Sequence, residues 1–402
     1  MPTGPLAGIR VVDCSTVLAG PYCTMLLGDL GADVVKIEPL EGDATRHWGP
    51  PWVGDEAAGT RTATYFLAIN RNKRSLRLDL RSEAGRDVLR RLLSGADVVV
   101  ENFRVGGFAG LGFSDEALQS LNPALVHLAI SGFGTTGPDA DKPGYDFVIQ
   151  AISGLMSITG EPDGPALKVG VAISDVVTGT FGAVSILAGL LARARDRAGG
   201  QRIDVSLLQG TFAVLVNQAQ STLATGQAPG RLGNAHPSIV PYEAFRTLDG
   251  SIAIGVGSEK QWRALCAALA LDQVAADPRF ASNGARVTNR RALVALLDEH
   301  FGQRSSADWL AVLDAAGIPA GPIRDIGEAF ASPQAVAMGS RVPIQHPVLG
   351  AVDQVASPYA LSATPATIRR PPPMLGEHSR EILAEAGFDA AAIDRLAADG
   401  VI

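Results

Sequence analysis

The sequence predicts an α/β protein with a parallel sheet and crossover helices, followed by a second, smaller domain. Short β-branched segments alternate with helical segments through the first 130 residues, and the composition changes near residue 225. Strands and helices that alternate in this way are typical of parallel sheets. A chain of 402 residues also favours two domains, because single cores rarely grow beyond about 300 residues.

Five strands are predicted in the first part of the chain, at residues 9–13, 33–38, 75–80, 96–103 and 124–130. A helical stretch, "PYCTMLLGDLGA", separates the first two strands, and Ser82 is the predicted cap of the helix before the fourth. The fifth strand leads into a turn-rich loop, "SGFGTTGPDADKPG", and helical spacing resumes at Tyr145.

The second half of the chain begins with a long predicted helix, from about Asp175 to Arg195, followed by a short strand and another helix. Residues 224–242 are rich in Gly and Pro, which indicates a connector. Beyond it, residues 250–323 combine two strand-like segments with amphipathic helices. The predicted domains are therefore 1–224 and 225–324, with 325–402 following as extended segments and a last helix or two.

Charge and cysteine content exclude several classes of protein. The net charge of −7 argues against a nucleic-acid-binding protein, which usually carries a basic surface. Three widely spaced cysteines fit neither a disulfide framework nor a zinc site, and the six histidines show no metal-binding spacing, so we expect no metal. The N-terminus does not resemble a signal or transit peptide, and we expect a cytoplasmic protein.

One uncharged segment, residues 176–192, is nearly long enough to span a membrane. Asp175 at its start and three internal glycines favour a buried core helix instead. We therefore expect no membrane association.

Two motifs suggest anion binding. "GFGTTG" at 132–137 matches the dinucleotide pattern, but prolines follow where a helix should open, so an NAD site is disfavoured and a loop that offers backbone amides to a ligand is preferred. The stretch "NRNKRSLRLDLR" at 70–81 holds five basic residues. It fits either a solvated edge strand or a phosphate site, and composition does not decide between them.

Asp175 stands alone among apolar and small residues. Its position favours a helix cap, a role that Ser174 could also fill. The same position stabilises negative charge, so Asp175 could remain an ionised nucleophile, and Gly170 and Gly179 would let a substrate approach. A Gly-x-Ser-x-Gly element typical of serine hydrolases is absent from the sequence.

Several blocks together resemble the class III CoA-transferases, the CaiB/BaiF family. They are "PLAGIRVVDCSTVLAGPYCTMLLGDLGADVVKIE", "NRNKRSLRLDL", "VVVENF", "SGFG", "PGYDFVIQAISGLMSITG", "VAISDVVTG" and "RPPPMLGEHS". Within the family, "NAHPSIVPYEAFRTLDG" and "RPPPMLGEH" resemble the succinyl-CoA:dicarboxylate, glutarate-type enzymes. The resemblance implies an interlaced homodimer with a Rossmann-like large domain, to which residues 325–402 return.

The resemblance also implies the site. Asp175 takes the catalytic position in "VAISDVVTG", and acyl-CoA is a substrate, with no permanently bound cofactor. The implied CoA contacts are Val17, Ala19, Leu78, Arg81, Asn102, Phe103 and Arg104. Candidates for holding a substrate carboxylate are Arg46, His47, Arg104 and Arg231, and Tyr145 and His236 complete the substrate candidates.

Two departures from the family pattern narrow the expected chemistry. Leu18 stands where some relatives have a Gln that protects the acyl intermediate, which puts that function in doubt here. Tyr145 precedes Asp146 where the racemases of the family have a His-Asp pair, and tyrosine is a poor base for removing a proton beside a thioester. A CoA-transferase acting through an aspartyl anhydride is therefore expected, with a racemase or a non-catalytic CoA-binding protein as the alternatives.

Overall fold

The structure is a computed structural model that describes residues 4–402. The strands are β1 Arg10–Asp13, β2 Asp33–Glu38, β3 Trp52–Val53, β4 Thr62–Ala63, β5 Lys73–Arg77, β6 Val98–Glu101, β7 Val126–Ser131, β8 Gln201–Ser206, β9 Tyr242–Arg246, β10 Ser251–Gly255, β11 Ala320–Pro322, β12 Arg341–His346 and β13 Gly350–Val355. The helices are α1 Ala19–Asp29, α2 Thr64–Ile69, α3 Glu83–Ser94, α4 Gly107–Gly110, α5 Asp115–Leu121, α6 Asp146–Ile152, α7 Ile173–Ala194, α8 Leu207–Val214, α9 Val216–Thr225, α10 Glu259–Ala268, α11 Asp272–Ala276, α12 Asn283–Thr288, α13 Arg290–Phe301, α14 Ser306–Ala315, α15 Ile326–Ala331, α16 Pro333–Ala337, α17 Ser379–Glu385 and α18 Ala390–Ala398.

Six parallel strands form the main sheet, in the order β5-β2-β1-β6-β7-β8. This is the strand order of the classical doubly wound dinucleotide-binding fold, in which the chain reverses direction across the sheet between its first and fourth strands. Here that reversal lies between β1 and β6. The predicted parallel sheet is therefore present, and Ser82 caps α3 as predicted, accepting a hydrogen bond from the Gly85 amide at 3.0 Å.

Helices cover both faces of this sheet. α1 and α7 bury Leu26, Leu27 and Ile186 on one face, while α3, α5, α17 and α18 pack on the other. Because both faces are covered, β6 is buried at every residue from Val98 to Glu101. Because the strands are buried on both faces, their sequences are continuous apolar runs.

The chain folds into two compact units. The first holds the chain up to Ser153, then 169–220 and 337–402; the second holds 154–168 and 221–336. The sequence-based boundaries differ from this, since they placed 154–168 in the large domain and 325–336 outside the small one. In the second unit the antiparallel sheet β11-β10-β9 packs on a core that includes Trp262, Phe301 and Trp309.

Three of the five basic residues in the stretch 70–81 fit neither predicted alternative. β5 is an edge strand, but Arg71, Lys73 and Arg74 are buried and paired with carboxylates at 2.6 to 3.0 Å. Buried charges are tolerated when they are paired in this way. The stretch therefore holds the fold together at this edge, and its three buried cations are not available to a phosphate.

Candidate active site

A cavity of about 250 Å³ lies at the carboxyl ends of β1 and β6, where the strand order reverses. Ligands of open α/β sheets bind in this crevice. Its lining residues come from the loops after β1, β6 and β7 and from the first turns of α7 and α8. They are Thr16–Ala19, Asn102–Val105, Ile130–Gly132, Ala140–Tyr145, Asp175 and Leu207.

Asn102 ties two of these loops together. Its side-chain amide donates to the Thr16 carbonyl at 2.8 Å, and its carbonyl oxygen accepts from the Thr16 amide at 2.9 Å. Satisfying both backbone groups of one residue fixes the spacing of the two loops. Asn102 thus has a structural function at the cavity wall in addition to any contact with a ligand.

Val17, the next residue, has a φ of 70°. A β-branched residue in this left-handed region is strained, so the surroundings must hold it there. The Asp43 carboxylate accepts from the Val17 amide at 3.3 Å, and Asp43 is itself ion-paired with the fully buried Lys36 at 2.9 Å. Lys36 also donates to the Ser15 carbonyl at 2.9 Å. A buried ion pair therefore fixes the loop that forms one wall of the cavity.

Asp175 lies in the first turn of α7, two residues after the helix begins, and lines the cavity. The N-cap position is Ala172, so the predicted cap by Ser174 or Asp175 is wrong. Within residues 4–402 the Asp175 carboxylate has no hydrogen-bond or ion-pair partner. Burial raises its pKa to about 7, and the neighbouring charge of Asp146 adds to the increase.

The two glycines expected to admit substrate differ in their surroundings. Gly179 faces α1 and not the cavity: a Cβ there would overlap the Ala19 carbonyl oxygen. Gly170 has open space around it. Gly179 therefore serves close packing of α7 on α1, and only Gly170 leaves room for another molecule.

Residues 6–379 match the model of CoA-transferase family III. The chain belongs to CoA-transferase family III.

Relatives of this family agree over nearly the whole length. The chain is 44% identical to a succinate–glutarate CoA-transferase of Agrobacterium fabrum over 95% of both chains. It is 40% identical to a succinyl-CoA:glutarate CoA-transferase of Mus musculus, over 99% of this chain and 90% of the relative. Among solved structures, a CaiB/BaiF family protein from Brucella suis is 44% identical, with a TM-score of 0.85, over 96% of this chain and all of that one. The resemblance predicted from the sequence is confirmed, and the chain is a CoA-transferase.

The structure brings part of the predicted family III site together. Val17, Ala19, Asn102, Phe103, Arg104 and Tyr145 line the same cavity as Asp175. Leu18 also lines it but is buried and supplies no polar side chain. Leu78 and Arg81 do not line it. Leu78 is 1% exposed in the core, and the Arg81 side chain is exposed and paired with Asp79 at 3.0 Å.

Three of the four cations proposed for the acceptor carboxylate lie outside this cavity. Arg46 is buried, held by Glu38 at 2.7 Å and stacked on Phe66, so it is not free to bind a substrate. His47 is exposed, with Nε2 3.2 Å from the Glu41 carbonyl. Arg231, in the second unit, donates to the Glu161 and Gly164 carbonyls.

His236 also belongs to the second unit, where its Nδ1 accepts from the Ser238 amide at 3.1 Å. Of the glycine loop 132–137, only Gly132 lines the cavity, and no helix opens on it: α6 begins at Asp146. The dinucleotide reading is therefore excluded for this loop.

Sequence reasoning missed two charged cavity residues. Lys142, in the loop before α6, lines the cavity and is paired with Asp139 at 2.6 Å. Asp141 lines it as well. Both belong to the polar run "DADK", whose charges could have been read as a signal that the turn-rich loop faces a charged ligand.

A neighbouring cavity of about 240 Å³ is lined by more acidic than basic side chains. Four carboxylates line it, from Glu101, Asp115, Glu116 and Asp204, against Arg202 and His127. Such a lining disfavours the phosphates and carboxylates of the expected substrates. The cavity with Asp175 is the better candidate because Arg104 and Lys142 lie in its wall.

Proposed function

We propose that this enzyme moves CoA from succinyl-CoA to a dicarboxylic acid through a mixed anhydride on Asp175. The observation that carries the proposal is a partly buried carboxylate without a partner, facing a cavity at the ligand-binding edge of the sheet. The substrates follow from the names of the relatives, which are succinate–glutarate and succinyl-CoA:glutarate CoA-transferases.

The first step forms the anhydride. An Asp175 oxygen attacks the thioester carbonyl carbon, a C–O bond forms, the C–S bond breaks, and CoA leaves as the thiolate. An ordinary aspartate is a far weaker base than a thiolate, with a pKa of about 4 against about 8.5. The pKa of about 7 at Asp175 narrows this difference, which favours attack by the carboxylate.

Two exchanges complete the transfer. A carboxylate oxygen of the acceptor attacks the Asp175 carbonyl carbon, and succinate leaves with the electron pair of the broken C–O bond. The CoA thiolate then attacks the acyl carbon of the new anhydride and releases the Asp175 carboxylate. The anhydride conserves the activation of the thioester throughout, so no net hydrolysis accompanies the exchange.

The cavity volume and charge favour a short acid with two carboxylates. About 250 Å³ admits an acyl chain and the thioester, but not the whole of CoA. Arg104 and Lys142 are the cations in its wall. The pair of Lys142 with Asp139 is exposed to solvent, unlike that of Arg46, and so leaves Lys142 accessible to a second carboxylate. We therefore propose these two residues, in place of Arg46, His47 and Arg231, as partners of the distal carboxylate.

We also propose that the enzyme is a homodimer. α7 is long and apolar enough to cross a membrane, alone among helices in the described part of the chain. One face of it packs on α1 and the sheet, and the other exposes Val184 and Leu191 by more than half. An exposed apolar face of this size is typical of a protein–protein contact. The resemblance to a family of interlaced dimers indicates that a second copy of this chain packs against it.

The covalent step is tested by trapping. The enzyme is incubated with succinyl-CoA and quenched with hydroxylamine, which converts an aspartyl anhydride to a hydroxamate, and peptides are weighed by mass spectrometry. Label is expected at Asp175 and absent from Asp175→Asn. Asp141→Asn is the matched control, since it removes another cavity carboxylate and should still acquire label at Asp175. Label at a different residue, or none, contradicts the proposal.

The substrate class is tested with pairs of acceptors of equal length. Glutarate is compared with pentanoate, and CoA thioesters are measured by mass. Preference for the dicarboxylate should weaken in Lys142→Gln or Arg104→Gln. Solvent deuterium entering the α-carbon of a thioester without any acceptor acid would instead indicate the racemase alternative.

A further inference from the structure

The first turn of α7 lacks a cap of its own. Its N-cap residue is Ala172, which has no polar side chain, although the first amides of a helix need acceptors. The helix that carries Asp175 must therefore be completed from elsewhere.

Asp146, the first residue of α6, supplies the missing acceptor. Its Oδ1 accepts from the Ser174 amide at 2.9 Å, in the first turn of α7. Its Oδ2 accepts from Gln150 Nε2 at 2.8 Å, and Gln150 Oε1 accepts from the Val169 amide at 2.9 Å. Gln150 and Ser174 are both fully buried. Asp146 and Gln150 thus clamp the chain on both sides of the turn that leads into α7.

This arrangement places a second carboxylate at the same helix end as Asp175. The positive end of the helix stabilises one negative charge there, and Asp146 already occupies a capping position. The other groups near Asp175 do not cancel that charge by contact. Tyr65 is a neutral neighbour whose pKa is raised to about 12 by burial and by the charges of Asp175, Asp146 and Asp43. Lys142 pairs with Asp139, and Arg104, Asp141 and Tyr145 lie elsewhere in the cavity wall.

We propose that the Asp146 side chain is a positioning residue for Asp175: it holds the first turn of α7 in place and its negative charge opposes a second negative charge on the nucleophile. The inference rests on the proposed function of Asp175 as nucleophile. It assigns to Asp146 a function that needs no contact with substrate. Removal of the charge should leave Asp175 more acidic and a poorer nucleophile.

Asp146→Asn is the discriminating variant, because its side-chain oxygen can still accept from the Ser174 amide while the charge is gone; its amide group cannot accept from Gln150 Nε2, so only that second hydrogen bond is lost with the charge. In single-turnover acylation by succinyl-CoA across a pH series, the midpoint near pH 7 should fall by about one unit, with a lower rate on the high-pH plateau. Asp389→Asn is the matched control: Asp389 caps α18 in the same way, accepting from the Ala392 amide at 2.7 Å. Its midpoint should not move.

The positioning part is measured separately by hydrogen exchange of the peptide covering residues 169–180. Asp146→Ala, which removes both oxygens, should accelerate exchange there, whereas Asp146→Asn should do so much less. If the exchange rate of this peptide is unchanged in Asp146→Ala, the proposal that Asp146 holds the first turn of α7 in place is wrong. If Asp146→Ala fails to fold, Asp146→Asn still tests the charge.

Protonation of Asp175 is followed without turnover by infrared titration, using the carboxylic acid band that is lost in Asp175→Asn. A titration that stays in place in Asp146→Asn overturns the inference while leaving the anhydride mechanism intact. If instead the wild-type enzyme forms no hydroxamate at Asp175, the proposed function fails, and the infrared titration still decides whether Asp146 controls its charge.

Discussion

Gly179 of α7 lies directly against the Ala19 carbonyl of α1, leaving no space for a side chain between the two helices. Ala19 is also a wall of the cavity, and Asp175 lies one turn before Gly179. The contact therefore sets the distance between the nucleophile and the loop after β1.

Gly179→Ala should force these helices apart. We expect a loss of about 1 to 3 kcal/mol in the free energy of unfolding, typical of overpacking, together with reduced acylation of Asp175. Gly170→Ala is the control for stability, because a Cβ there meets open space and the backbone is not left-handed. Urea unfolding and hydroxamate yield measure the two effects. Equal stability of both variants would contradict the close contact.

The stability of the protein should depend on the protonation of Asp175. An unfolded aspartate has a pKa of about 4, and burial raises the folded value to about 7, so the folded state holds the proton more tightly. The contribution of Asp175 to the free energy of unfolding is therefore fully present below pH 4 and is lost as the pH rises through 7. Because asparagine does not titrate, Asp175→Asn should abolish this pH-dependent loss of stability.

Asp175→Asn should accordingly be more stable than the wild type at pH 8, by about 2 to 4 kcal/mol, and nearly equal to it at pH 4. Urea unfolding at both pH values is the measurement. A gain of the same size at both values would show that burial of the charge is not the cause.

The buried pair Lys36–Asp43 should be critical for stability. Both side chains are fully buried, and Lys36→Met leaves Asp43 without its cation. Breaking such a pair costs about 3 to 5 kcal/mol. The control is Arg380→Met, which breaks an exposed pair with Asp394 and should cost less than about 1 kcal/mol. We further expect Lys36→Met to weaken acyl-CoA binding, because Asp43 holds the strained Val17; isothermal calorimetry with CoA measures this.

The exposed face of α7 should be the dimer contact. Val184, which is 58% exposed on α7, is replaced by Asp, and the mass in solution is measured by light scattering. Val184→Asp should shift the protein towards the monomer. The control, Leu248→Asp, changes an exposed leucine in the turn between β9 and β10 and should leave the mass unchanged. A wild-type monomer at the concentrations used for activity would contradict the proposal.

Sequence patterns predicted the parallel sheet well because strands covered on both faces are continuous apolar runs. β2 was predicted at its exact bounds, whereas β6 was predicted two residues too long at each end; at the C-terminal end this is because the chain turns after Glu101 to build the cavity wall. The composition change near residue 225 indicated where the second unit begins. That residues 154–168 also belong to this unit could not be predicted, because no local sequence pattern marks them.

Charges were the least predictable part of the site. Arginines such as Arg46 and Arg74 are typical anion ligands, yet both are already paired: Arg46 with Glu38 on the neighbouring strand β2, and Arg74 with Glu381 and Glu385, about 300 residues further along the chain. Such partners depend on the sheet order. Asp175, by contrast, was singled out because its sequence neighbours are apolar, and within residues 4–402 its carboxylate has no hydrogen-bond or ion-pair partner.

One helix carries the proposed nucleophile in its first turn and an uncovered apolar face over the turns that follow. Catalytic competence and self-association would then share a single structural element and could not evolve independently. Dilution that separates the subunits should therefore lower the turnover per chain. We expect the specific activity to decrease as the enzyme is diluted, because one helix serves both functions.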